Sequence, residues 1–132
     1  MSDSFLETFL DKIYERWVAD GELSAAATLY YDSAEDPTFP FVTYHLVSGD
    51  QTAIFSGAME RPTIQFSVWS KENAKDEALG IVNGICRVFD HCGLDFGAGY
   101  DTRKFERVRF DIKREDYVWH AQVDYDIEVV AA

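Results

Sequence analysis

The side chains best suited to chemistry in this chain are four carboxylates near its C-terminal end, Asp111, Asp124, Asp126 and Glu128. Acids on alternating strand positions can gather a divalent cation, as nuclease carboxylates do. The same alternation places them on a solvated strand face, where Arg107, Arg109 and Lys113 neutralise them, so they read as a charged surface rather than a metal site. His45, His91 and His120 fall on a strand, a helix end and the polar face of another strand, and none has a motif beside it. G-x-S-x-G, the Walker loop, H-E-x-x-H and Cys-x-x-Cys do not occur. Cys86 and Cys92 share one expected helix, where a spacing of six turns them about 240° apart at about 100° per residue. They should not bridge each other, and with His91 they point to different sides of the cylinder and make no zinc set. They read as buried or bystander thiols. "GLDFGAGYD" follows a helix and precedes a strand, the wrong order for a phosphate loop, and reads as a connector. The residues thus point to no catalytic group, no cofactor and no metal, and to a protein that is not an enzyme.

Length and charge narrow the remaining classes. With 132 residues, 47% hydrophobic and 15% aromatic, the chain has material for one domain spanning 1–132 with a real core. Twelve Lys and Arg against twenty-four Asp and Glu leave a formal charge of −12, which repels a nucleic-acid duplex and an anionic membrane surface alike. The start "MSDSFLETFLDKIYERW" is acidic where a signal peptide is basic, and no apolar run approaches membrane-spanning length. The expectation is a protein made and kept in a cytosol-like compartment, with neither sequence-specific nucleic acid nor membrane among its partners.

The elements that position these residues follow from periodicity. Ser4 and Glu7 make a capping box, and Phe5, Leu6, Phe9, Leu10, Ile13 and Trp17 form one helical stripe ending near "ADGE". A short strand is expected around Thr28 to Tyr31, then an acidic, proline-punctuated loop. "FVTYHLVS", Phe41 to Ser48, is a strand, and Pro62 opens another in which Ile64, Phe66 and Val68 face one way and Gln65, Ser67 and Trp69 the other. Ser70 is expected to cap a long helix directly, with Ala74, Ala78, Ile81, Val82, Ile85, Phe89 and Cys92 as its apolar stripe and Gly93 as its C-cap, spanning about 33 Å. The last third alternates as a hairpin turning near Glu115 and Asp116. Placing Val108, Phe110 and Ile112 on the same face as Trp119, Ala121 and Val123 requires paired numbers with an odd sum, and a sum of about 231 sets Val108 by Val123 and Arg107 by Asp124. The fold class is α+β, a mostly antiparallel sheet packed on one face by two helices, in the order α-β-β-β-α-β-β.

Candidate contact residues come from segments that the core does not absorb. "GDQTAIFSGAMER" is too long for a tight turn and carries Ala53, Ile54, Phe55, Ala58 and Met59 beside Arg61, without an obvious core partner. It is expected to order against a partner on docking. Gln65 and Trp69 lie on the strand face opposite the core row, where a tryptophan often marks an interface. Gly80 and Gly84 fall one turn apart on the helix face away from the apolar stripe, a smooth surface suited to close approach by another chain's backbone.

In order and pattern the chain resembles the tail-completion, or tail-terminator, proteins of long-tailed phages and prophages. The likeness covers nearly the whole chain and is carried by "YY…FPFVTYHL", by "QFSVWS" joined to an Ala-rich helix, and by the Trp-containing strand "YVWHAQVDYDIEV". The resemblance implies a structural virion protein, assembled in the bacterial host cytoplasm. As a homo-oligomeric ring, usually a hexamer, it would sit on the head-proximal end of the tail tube, stop polymerisation and present a surface to the head-tail connector. Its partners would be other copies of itself, the tube protein and the connector protein. A connector role in the same neck region, and a small-ligand-binding α+β module outside phages, are the other readings the pattern admits.

Overall fold

In the computed structural model the alternating segments form one six-stranded mixed sheet with helices on one of its faces. The structure describes residues 4–47, 59–60, 62–94 and 100–131, with side chains 4–6, 59–60, 100 and 131 outside the description. The order is α1 (Ser4–Ala19), α2 (Gly21–Ala26), β1 (Thr28–Tyr31), β2 (Phe41–Leu46), β3 (Met59–Glu60), β4 (Thr63–Ser70), α3 (Asp76–Phe89), β5 (Tyr100–Glu115) and β6 (Val118–Ala131). Across the sheet, β1 runs parallel to β2, and β2, β4, β6 and β5 follow in antiparallel pairs. The two-residue β3 also pairs with β6, beyond the end of β4. The α+β class and its mostly antiparallel sheet are as the alternation implied.

The core lies between the sheet and the helices. Ile64, Phe66 and Val68 of β4 are buried as expected, with Val42 and Tyr44 beside them and Ala121, Val123 and Tyr125 on the other flank. Phe66 is the centre: its ring meets Trp17 of α1 at 6.2 Å, Phe89 of α3 at 5.1 Å, Tyr44 at 6.2 Å and Tyr125 at 6.0 Å. The α1 stripe delivers Phe9, Ile13 and Trp17, and the Trp17 indole N–H donates to the Ala27 carbonyl.

A third helix, α2, was not expected, because six residues are too few to show a helical period. Its signal is the cap: Asp20 accepts a hydrogen bond from the Leu23 amide. The Arg87 guanidinium of α3 forks onto both Asp20 oxygens at 3.0 and 2.8 Å, and this contact, with the amide, pulls the Asp20 carboxyl down to about 2. Because the folded value lies below the ordinary 3.8, the stabilisation is present above about pH 4 and lost as pH falls towards 2. Asp20→Asn is expected to flatten the fall in the thermal midpoint between pH 4 and 2, read by circular dichroism, while lowering stability at pH 7.

Two helix ends differ from expectation. Ser70 does not cap α3; it is the last ladder residue of β4, paired with Trp119, so its backbone is committed to the sheet. Its hydroxyl accepts from the Glu72 amide and donates to the Glu77 carboxylate at 2.7 Å, fastening the linker that leads to α3. The helix begins at Asp76 and its 14 residues make it about 21 Å long rather than about 33 Å. It stops at Phe89 because His91, not Gly93, takes the left-handed conformation (φ 58°) just past the end. Cys92 therefore lies outside the helix; it is buried and Cys86 partly so, and burial pushes both thiols up, Cys92 to about 11. The Ser4 capping box rests on a side chain outside the description.

The hairpin corrects a third expectation. The two-residue turn Asp116–Tyr117, both with positive φ, pairs Glu115 with Val118 and fixes the register there. Phe110, not Val108, then faces Val123, and Arg109, not Arg107, faces Asp124. Register shifts between Arg107 and Arg109 and between Thr102 and Lys104 leave Val108 and Arg103 as extra residues, and each bulge swaps the faces of β5 beyond it. The first brings Phe105 into the core at 1% exposure and turns Arg107 to the helix side, where it meets Asp90 at 3.2 Å. The second does the same for Thr102, whose hydroxyl bonds both the amide and the carbonyl of Leu94.

Candidate functional site

The sheet face opposite the helices is built in transverse rows, because ladder partners share a face. One row runs Phe41, Trp69, His120 and Lys113; the next Thr43, Ser67, Gln122 and Asp111; the third His45, Gln65, Asp124 and Arg109. The first row is a stack. Trp69 lies parallel to Phe41 at 6.1 Å on one side and flat on His120 at 3.8 Å on the other. Phe39 meets Phe41 edge-on and carries Lys71 above its ring at 4.4 Å. Trp69 is thus half-buried by its own neighbours, and Gln65, two rows away, is half-buried as well.

In the middle row Thr43 and Ser67 are small and buried, while two polar atoms in the flanking rows, His120 Nε2 and Asp124 Oδ1, are buried with no hydrogen-bond partner among the described residues. Burial, and to a lesser degree the Lys113 ammonium, hold the His120 imidazole below its usual range, so it is neutral at pH 7. The four carboxylates Asp111, Asp124, Asp126 and Glu128 are spread over this face. Asp111 faces Gln122, Asp124 faces Arg109, and Asp126 accepts from the Thr63 hydroxyl. Among the described residues no three His, Cys, Asp or Glu side chains come together as a cation cage.

Of the two α3 glycines, Gly84 serves the chain itself. Leu23 of α2 settles on Gly84, where a Cβ would stand 2.9 Å from Leu23 Cδ1, so the close approach is by an internal helix. Gly80 has open space above it and lines, with Gly84, Glu22 and Arg87, an open groove of about 320 Å³ between α2 and α3. Of the remaining expected contact residues, Ile54, Phe55 and Arg61 lie outside the described residues, and Met59 is placed by backbone only, opposite Val130. Trp69 and Gln65 share one face; Gly80 and Gly84 sit on a helix that packs against the other.

Sequence reasoning missed the exposed apolar residues at the sheet edges. Val108 is exposed as a bulge residue, and Phe110 is exposed on the outer strand of the hairpin, opposite Val123. Tyr117, at the hairpin tip, is 83% exposed and held at φ 67°, a conformation that costs a bulky residue roughly 1–2 kcal/mol. Tyr117→Gly should relieve that strain, less the entropy glycine adds to the unfolded chain, and raise stability by about 0.5–1 kcal/mol in urea denaturation. The alternation in the sequence places the turn near Glu115 and Asp116, one residue before the observed Asp116–Tyr117.

No family model and no curated protein matches the chain in sequence. Among solved structures, the fold is similar to that of a chain in the virion of a native gene transfer agent particle. The TM-score is 0.70 at 16% identity, covering 91% of this chain and 92% of that one. A second solved chain matches with a TM-score of 0.61 at 10% identity, covering 100% of this chain and 96% of the other. At these identities the likeness is one of fold.

Proposed function

We propose that this chain is a structural component of a phage-like virion that forms a ring at the head-proximal end of a tail tube, ends tube polymerisation and offers a surface to the head connector. The observation that carries the reading is the fold shared over almost the whole length of both chains with a component of a gene transfer agent virion. The long strands backed by helices suit a stiff ring subunit. The formal charge of −12 suits a lumen through which DNA passes without adhering, since phosphates meet few cations able to displace their counterions. Other copies of this chain, the tube protein and the connector protein are its partners in this reading.

Electron microscopy of the purified protein, alone and mixed with tail tubes, is the test. Rings, or tubes with capped ends, are the expected result. Bare tube ends together with metal-dependent turnover, or with thermal stabilisation by a small molecule, would replace this reading by an enzyme or ligand-binding one. DNA binding at moderate salt would remove the lumen argument.

A further inference from the structure

The two edges of the sheet differ in charge. β5 carries Arg103, Lys104, Arg107, Arg109, Lys113 and Arg114, half of the chain's twelve cations, against the four acids Asp101, Glu106, Asp111 and Glu115. Counted by strand, β5 is +2 within a total of −12, so the remaining residues carry −14, although Arg107 and Arg103 meet Asp90 and Glu128 of the same chain and Arg109 faces Asp124. Val108 and Phe110 stand exposed on the same strand, at 50% and 44%. The opposite edge is β1. It presents Tyr31, 46% exposed, in contact with Tyr44, and Tyr14 of α1, equally exposed, is close enough to act electrostatically on Tyr44. The chain then continues into the exposed acids Asp32, Glu35 and Asp36.

We infer that the basic β5 edge of one copy docks on the acidic, tyrosine-bearing β1 edge of the next. Charged residues and bulges on an edge strand are the usual defence against pairing of edges. Here that defence acts selectively: two β5 edges repel each other, as do two β1 edges, whereas a β5 edge and a β1 edge attract. The bulge that protects this strand also leaves Val108 exposed beside Phe110, and this apolar surface has a counterpart in the two tyrosines. Because the two patches are different and lie at opposite ends of one sheet, the contact is head-to-tail and propagates until it closes. The inference deepens the ring reading and rests on its premise that copies of this chain associate.

Disulfide trapping tests it directly, at two surface positions and in a Cys86→Ser background. Val108→Cys protein mixed with Tyr31→Cys protein under mild oxidation should give a mixed dimer as the main product, several-fold above either homodimer. The doubly substituted chain should give a ladder of covalent oligomers. Trapping should weaken several-fold between low salt and 0.5 M salt, as screening of exposed charges requires. Arg109→Glu with Lys113→Glu should abolish it, and adding Asp32→Lys with Glu35→Lys should restore it. Homodimers only, or no mixed product at low salt, overturns the edge contact even where microscopy shows rings. A ladder of open chains that never closes or caps a tube leaves the contact standing and removes the ring reading.

Discussion

Phe66→Ala is expected to lower the unfolding free energy by about 3–5 kcal/mol, the range for truncating a phenylalanine in a packed core. The value belongs at the upper part of that range because Phe66 has no solvent exposure and its ring is ringed by Trp17, Tyr44, Phe89 and Tyr125, which come from four different elements. Large aromatics anchored on separate elements cannot slide together to fill the void, so the lost contacts stay lost. Urea denaturation should show a lower midpoint with an unchanged slope. A loss below about 2 kcal/mol would show that the core collapses onto the gap, and that the helices are less rigidly seated on the sheet than the aromatic geometry requires.

Tyr125→Phe ranks second, at about 1.5–3 kcal/mol, the scale of a hydrogen bond to a charged group. The Tyr125 hydroxyl donates to Asp90 Oδ1 at 2.5 Å, and Arg107 meets the other oxygen at 3.2 Å. Asp90 also ends α3, its amide bonded to the Cys86 carbonyl. Three elements therefore meet on one carboxylate. Burial and the bond to Asp90 push the phenol up, so it stays protonated and donating across the working pH range. Removing the hydroxyl should speed amide exchange in the last turn of α3 before it affects the middle of the sheet. In a double-mutant cycle with Arg107→Ala the two losses should fall short of adding, because both partners hold the same acid. Strict additivity would mean that the two contacts act independently.

Where the chain obeys a simple period, its structure was open to reading. Ile64, Phe66 and Val68 were assigned to the core and Gln65, Ser67 and Trp69 to the opposite face by alternation alone, and each lies where a two-residue repeat puts it. Illegible features were those in which a side chain serves two masters. Ser70 has the chemistry of a helix cap, and its hydroxyl does accept a backbone amide, but its own backbone belongs to the ladder, so strand and helix are separated by a linker. His91 takes the left-handed position that the helix-end pattern assigns to Gly93. The bulges of β5 have no residue signature, and without them Arg107 reads as a partner of Asp124 rather than of Asp90. Of the candidate surface, the face bearing Trp69 was legible; its stacking on His120 and the concentration of cations on one edge depend on strand order, which one sequence does not display.

The paired bulges of β5 also limit how this protein can vary. Each acts like a frameshift: losing the residue at Val108 would present Phe105 to solvent and carry Arg107 away from Asp90, inverting the strand from there to the second shift. Single insertions or deletions in this arm should therefore survive only when a second one restores the phase, whereas whole two-residue steps at the hairpin tip lengthen or shorten the arm without disturbing anything beneath α3.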